Sequence, residues 1–193
     1  YVLVANGEIY NDPEIRKKNR TYKFVTNSDS ESILALYERN GIDGLKLLRG
    51  MYAFIIYDKK RDEVIIGRDE FGIKPLYFSL MKNGIAFCSE TKPIVSLKKS
   101  IPNINVWKLF EYMQLQYSSG TETLYEGIQR VAPGQILVIK RGKIIKSFLS
   151  SFTQKKKSIN QSESATSLDK SLRESVSSHL RSDVPYCIFF SGG

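Results

Sequence analysis

Met51-Tyr52-Ala53-Phe54-Ile55-Ile56-Tyr57, the charged turn Asp58-Lys59-Lys60-Arg61-Asp62, and Glu63-Val64-Ile65-Ile66-Gly67-Arg68 form the stretch on which the fold turns. Two short runs rich in β-branched and aromatic residues, separated by a charged turn, predict an antiparallel strand pair. The pattern recurs downstream. Residues 76–80 and 85–89 flank a turn containing Asn83-Gly84, a strong hairpin signal, and residues 135–140 and 143–148 flank Arg141-Gly142. Antiparallel sheet is the economical reading of residues 1–149, with the apolar run Val2-Leu3-Val4 as a further strand at the front.

Helix signals stand between these strands. Asp12-Pro13 can cap and begin a short helix. Ser28 and Glu31 have the spacing of a capping box ahead of Ile33, Leu34, Leu36 and Tyr37, and Asn40-Gly41 ends that helix. Asn105 caps a third helix through Leu115, with Val106, Leu109, Phe110 and Met113 on one face. Sheets covered by amphipathic helices define an α+β layered domain.

Residues 150–164 shift to Ser, Lys, Gln and Asn, as expected of a linker or exposed loop. Leu168, Leu172, Val176 and Leu180 then recur at four-residue spacing, which predicts a helix over residues 165–181. Asp183-Val184-Pro185 and the apolar run 186–190 follow, read as a buried strand, and Ser191-Gly192-Gly193 closes the sequence. Helix, buried strand and Ser-Gly-Gly together read as the start of a second, nucleotide-binding domain over residues 165–193. The apolar runs that follow Tyr1 and precede Ser191 lead us to expect that both ends are cuts in a longer chain.

Composition excludes several function classes. Of 193 residues, 41% are hydrophobic and 11% aromatic, so the chain can build a sizeable core rather than remain disordered. The net charge of +9 raises nucleic acid as a partner, but phosphate neutralisation needs clustered Lys and Arg. The longest basic run here is Lys155-Lys156-Lys157, and the other cations alternate with Asp and Glu, as on a solvated surface. Cys88 and Cys187 show no metal-binding spacing and read as small core residues, so no metal site is expected. No signal peptide appears and no apolar stretch approaches the ~20 residues of a membrane span. A reducing cytoplasm is the simplest compartment.

Two words carry candidate chemistry. Ser191-Gly192-Gly193, after a strand, either cradles pyrophosphate through backbone N–H groups and a hydroxyl or is an ordinary strand-ending turn. Asn6-Gly7-Glu8-Ile9-Tyr10-Asn11 follows an apolar strand; a side-chain amide and an adjacent N–H freed by glycine can serve developing negative charge. Read without context, the same Asn-Gly is more often a tight turn. His179, the single histidine, lies on the outward side of the Leu stripe and is a poor general base.

These words and several more fall in a familiar order. They are Ser28-Asp29-Ser30-Glu31, Gly50-Met51-Tyr52-Ala53-Phe54, Arg68-Asp69-Glu70-Phe71-Gly72-Ile73-Lys74-Pro75-Leu76-Tyr77, Ser89-Glu90-Thr91-Lys92 and Val131-Ala132-Pro133-Gly134, with Arg181-Ser182-Asp183-Val184-Pro185 before the final Ser-Gly-Gly. With them the chain resembles the glutamine-hydrolysing asparagine synthetases over essentially its whole length. That resemblance implies a four-layer α/β/β/α sandwich of antiparallel sheets, of the N-terminal-nucleophile hydrolase type and truncated, followed by the first helix and strand of an ATP pyrophosphatase domain.

The resemblance also assigns roles. Asn6 and Gly7 form the oxyanion hole, while Asn6, Gly7, Glu8 and Asp29 bind glutamine; the alternative for Asp29 is a plain helix cap. Ser191, Gly192 and Gly193 bind ATP pyrophosphate with Mg2+, and Phe189 lines the adenine pocket or is a core residue. The glutaminase part binds no cofactor. Arg68 and Asp69 are expected to pair locally and Gly72 to supply a positive φ, holding a loop without chemistry. The family's nucleophile is an amino-terminal cysteine upstream of the Asn-Gly-Glu word, which neither Cys88 nor Cys187 matches, and an arginine clamping the glutamine carboxylate belongs to the same upstream stretch. The piece alone is therefore expected to be inactive.

In the complete protein so implied, glutamine yields ammonia through a thioester, ATP adenylates aspartate, and ammonia displaces AMP to give asparagine. Glutamine, aspartate and ATP are the partners, with no nucleic acid, no membrane and a homodimer as a possible assembly. The alternatives are a related amidotransferase with another carboxylate acceptor, or a non-catalytic scaffold. A sugar-phosphate or phosphoribosyl amidotransferase shares the front domain only.

Overall fold

The computed structural model describes residues 1–82, 84–150, 161–182, 184–185, 187–190 and 192. Eight strands appear among them: β1 (Val2–Ile9), β2 (Gly50–Asp58), β3 (Glu63–Arg68), β4 (Tyr77–Met81), β5 (Gly84–Cys88), β6 (Gln129–Arg130), β7 (Gln135–Lys140) and β8 (Lys143–Leu149). They build a five-stranded antiparallel sheet in the order β1-β2-β3-β7-β8 and a three-stranded antiparallel sheet in the order β5-β4-β6. All three expected hairpins are present, and Arg141 and Gly142 both take positive φ (49° and 72°) in the β7–β8 turn, as a two-residue hairpin requires. Asn83, in the β4–β5 turn, lies outside the described residues.

Side-chain alternation divides the first sheet between two cores. On one face Phe54, Ile56, Ile65, Ile136 and Val138 meet Ile15, Ile33, Leu36 and Leu45 from the helices. On the other, Ala53, Ile66, Leu137 and Ile139 meet Leu76, Phe78 and Val131 from the second sheet and its connection. The middle strands are covered on both faces, which is why 53–56, 64–66 and 136–139 read as continuous apolar runs rather than alternating ones. Helix, sheet and sheet are thus stacked in an α+β arrangement.

The helices are α1 (Asp12–Lys18), α2 (Glu31–Asn40), α3 (Ile42–Leu45), α4 (Thr91–Leu97), α5 (Val106–Leu115) and α6 (Gln161–His179). Their starts differ from the sequence reading in instructive ways. Asp12 does not cap α1: it lies inside the first turn, buried, accepting from Arg16 Nε and from Ser32 Oγ of α2, each at 2.7 Å. The Ser28–Glu31 capping box does not form. The Glu31 carboxylate reaches further back, to Val25 N, Thr26 N and the Thr26 hydroxyl at 2.6–2.8 Å, because the chain before α2 curls over the helix start and offers those donors first. Asn105 does cap α5, accepting from Lys108 N at 3.2 Å. The expected apolar face of α5 is nonetheless uncovered, and no residue of that helix is buried.

Residues Tyr1–Ser151 and Phe152–Gly193 form two separate compact units. In the second, α6 takes the place of the predicted helix, with Leu168, Leu172 and Val176 exposed. The predicted buried strand is absent: described residues 187–190 have no regular structure, and Phe189 is 98% exposed. A buried strand needs paired neighbours for its backbone groups, and none stands beside it among the described residues. Cys187 is correspondingly exposed rather than a core residue.

Candidate functional site

Asn6 and Gly7 lie within β1, not in a turn, opposite Ala53 and Tyr52 of β2. β1 is an edge strand, so only alternate N–H groups meet β2. Tyr10 N donates to Arg49 O beyond the strand end, whereas Ile9 N turns outward and donates to Asp29 Oδ2 at 2.5 Å. The unshifted register puts the Gly7 N–H on the same outward edge as that of Ile9. Gly7 has φ +152°, and a Cβ there would lie 2.1 Å from Met51 O, so the position admits glycine alone.

The Asn6 side chain stands on the face that turns toward the second sheet. There it lines a cleft of about 240 Å³ with Val4, Ala53, Leu76, Phe87 and Cys88. Glu8, two residues on, shares that face and is exposed. Asp29, half-buried at the head of α2, is fixed by Ile9 N and leaves Oδ1 without a hydrogen bond among the described residues. Asn11 staples the end of β1, donating to Leu47 O and accepting from Arg49 N, each at 2.9 Å. An amide, an outward N–H and two carboxylates thus collect around one end of an exposed edge. Such a group can bind a substrate carrying both an ammonium and a carbonyl. Burial, with the charges of Glu8 and Asp69, raises the Tyr10 pKa, so its hydroxyl stays protonated beside the edge. A larger open groove of about 1080 Å³ between β4–β5 and the end of α4 is lined by Leu80, Ile85, Leu97 and Ile101 together with Lys82, Lys98, Lys99 and Glu126.

The loop after β3 is held otherwise than by the expected Arg68–Asp69 pair. Arg68 donates to three carbonyls, those of Lys74, Val131 and Gly72, at 2.6–2.8 Å. Asp69 is fully buried and accepts four main-chain N–H groups, from Tyr52, Phe71, Ile73 and Lys74. Buried neighbours of opposite charge are each better satisfied by the loop backbone than by each other, since that arrangement also pairs the loop's own polar groups. Gly72 has the expected positive φ, 65°. Cys88 lines the Asn6 cleft, half-buried and unbonded to another cysteine. His179 is exposed, its Nδ1 2.7 Å from Ser175 O. Ser191 and Gly193 lie outside the described residues; Gly192 has φ +71°, and a Cβ there would meet nothing within 4 Å.

Helices over two antiparallel sheets are an arrangement shared with solved structures. Bacillus subtilis glutamine phosphoribosylpyrophosphate amidotransferase, solved with ADP and GMP, matches with TM-score 0.52 at 24% identity over 78% of this chain and 29% of its own. The allosteric regulatory enzyme of purine biosynthesis matches with TM-score 0.51 at 23% identity, over 78% and 28%. The chain belongs to the glutamine amidotransferase domain family, whose profile matches residues 1–151. Among curated relatives, a putative glutamine-hydrolysing asparagine synthetase of Mycobacterium tuberculosis is 36% identical over 100% of this chain. Asparagine synthetase 1 of Bacillus subtilis is likewise 36% identical, and asparagine synthetase B of Escherichia coli 33%, both over the whole chain. The chain spans 30–31% of the length of these three relatives.

Proposed function

We propose that this chain is the glutamine-hydrolysing part of an asparagine synthetase, an AMP-forming ligase that uses ammonia from glutamine to amidate aspartate at the expense of ATP. One observation carries the reading: the Gly7 N–H on the outer edge of β1, with the Asn6 amide on the adjoining face and Asp29 beside it. In this reading a carbonyl oxygen sits at the corner between edge and face and accepts from both donors. The Asn6 amide and Gly7 N–H stabilise the oxyanion; Asp29 takes the α-ammonium of glutamine through Oδ1, and Glu8 completes the clamp. Relatives at 33–36% identity named as glutamine-hydrolysing support the choice of substrate.

The nucleophilic thiol belongs to the amino-terminal cysteine of the complete enzyme, so the 193-residue chain alone releases no glutamate. We take the layered fold to extend to the four-layer sandwich, with α4, which contacts β4 and β5, as the candidate for the fourth layer. ATP and Mg2+ are used by the synthetase part that Ser191-Gly192-Gly193 opens. The described residues there form no cradle, Phe189 and Phe190 being exposed, so no step is assigned to them. No described helix is long and apolar enough to cross a membrane, and the two free cysteines suit a reducing cytoplasm.

The test is Asn6→Ala in the full-length enzyme. Glutamine-dependent glutamate release should fall on the order of 10²- to 10³-fold, as for loss of one oxyanion donor, while ammonia-dependent asparagine formation persists. Undiminished glutamate release removes Asn6 from the site.

A further inference from the structure

β3 ends at Arg68, which faces Ala53, one residue short of the place opposite Tyr52. Asp69 fills that place. Its main-chain N–H donates to Tyr52 O at 2.8 Å, and its side-chain Oδ2 accepts the Tyr52 N–H at 3.2 Å. A carboxylate thus takes the acceptor position that a further strand residue would have filled with its carbonyl. On the other side of β2, Tyr52 faces Gly7 directly, and the two backbones touch: a Cβ on Gly7 would lie 2.6 Å from Tyr52 Cα. Asp69, Tyr52 and Gly7 therefore lie in one line across the sheet, with the Gly7 N–H at its outer end.

Loop closure accounts for three of the four N–H groups that Asp69 accepts, but not for Tyr52 N. The loop after β3 has a second tether in Arg68, which binds the carbonyls of Gly72 and Lys74. Tyr52 N, by contrast, has Asp69 as its hydrogen-bond partner, and Asp69 is buried to 0% exposure, an expensive place for a charge unless donors surround it. Its oxygens divide the labour: Oδ1 holds the loop through Phe71 and Ile73, and Oδ2 holds Tyr52 together with Lys74.

We propose that Asp69 is a positioning residue for glutamine hydrolysis, setting the location of the Gly7 N–H by clasping Tyr52 from the opposite side of β2. The proposal rests on the oxyanion role given to Asn6 and Gly7. Misplacement of a donor by a fraction of an ångström weakens an interaction made chiefly in the transition state, so kcat suffers and substrate binding does not.

The experiment uses the full-length enzyme with Asp69→Asn, whose amide can accept on one side only. As a second variant, Tyr52 is incorporated as its α-hydroxy acid, which deletes the N–H that Asp69 accepts and weakens Met51 O as an acceptor, while leaving every side chain in place. Both should lower kcat for glutamate release about tenfold or more, with KM for glutamine within twofold and ammonia-dependent synthesis unchanged. If Asp69→Asn fails to fold, the ester variant decides. Unchanged kcat in the ester variant overturns the proposal, as does a loss confined to KM or shared by ammonia-dependent synthesis. Asn6→Ala, measured alongside, separates the two readings: if it too leaves kcat intact, the oxyanion assignment has failed, whereas a strong Asn6 effect with a silent ester variant refutes the role of Asp69 alone.

Discussion

At Gly7 the backbone conformation itself bears on stability, and its share can be measured. A Cβ there meets Met51 O at 2.1 Å in a backbone conformation foreign to side-chain-bearing residues, so Gly7→Ala must push β1 from β2. Strain of this kind costs roughly 1–3 kcal/mol, and the clash adds to it. Thermal unfolding of the 193-residue chain should show a fall of several degrees for Gly7→Ala, while Gly84→Ala, where a Cβ meets nothing within 4 Å, stays close to the parent. Equal melting temperatures would show that the β1–β2 approach is looser than described. The sequence word Asn6-Gly7 left open a tight turn or a donor pair; pairing with Ala53 and Tyr52, far along the chain, is what puts it in a strand. The donors of Arg68 and the acceptors of Asp69 found partners beyond sequence reading for the same reason: adjacent opposite charges suggest a pair, and only the folded loop offers carbonyls and N–H groups in their stead.

The elements were legible where hydrophobic pattern and turn chemistry agreed, as in the three hairpins, and less so where the surrounding chain supplied the partners. Glu31 shows why. The Ser28 spacing is correct for a capping box, but Val25 and Thr26 take the carboxylate, a choice made by the segment before the helix. Burial pushes the Glu31 pKa up, but the Thr26 hydroxyl, the Val25 and Thr26 amides and the charge of Arg16 outweigh it, leaving it below the ordinary 4.5. A carboxylate depressed in the folded state adds stability above its unfolded pKa and loses it as pH falls through the folded one. Glu31→Gln should therefore destabilise the chain at pH 7 by about 1–3 kcal/mol, the usual cost of breaking charge-assisted bonds at a buried group. Urea unfolding of parent and variant should converge as the pH drops below 4.5. A gap that is constant or grows on acidification would mean that the three donors do not favour the ionised form. Helix α5 was predicted with its correct cap and extent, yet periodicity says only that a face is apolar, not that anything lies against it.

Over the whole molecule, that uncovered face separates what holds the fold together from what does not. The cores on the two sides of the first sheet are closed by Phe54, Ile56, Ile65 and Ile66, each no more than 1% exposed, and truncating one of them should cost about 2–5 kcal/mol. On α5, Trp107 is 83% exposed, Phe110 58% and Met113 68%, so these large side chains bury little that unfolding would release. They form instead an apolar patch of the kind that drives association. Replacing Phe110 and Met113 together by Gln should move the stability of the 193-residue chain by no more than about 0.5 kcal/mol per site. The same double variant should raise the concentration at which light scattering first reports aggregates. Phe54→Ala supplies the contrast, since it should unfold the chain at lower urea and promote aggregation. If instead the double Gln variant unfolds several degrees early, the α5 face is packed in solution, and the exposure that marks this helix as outside the core is wrong.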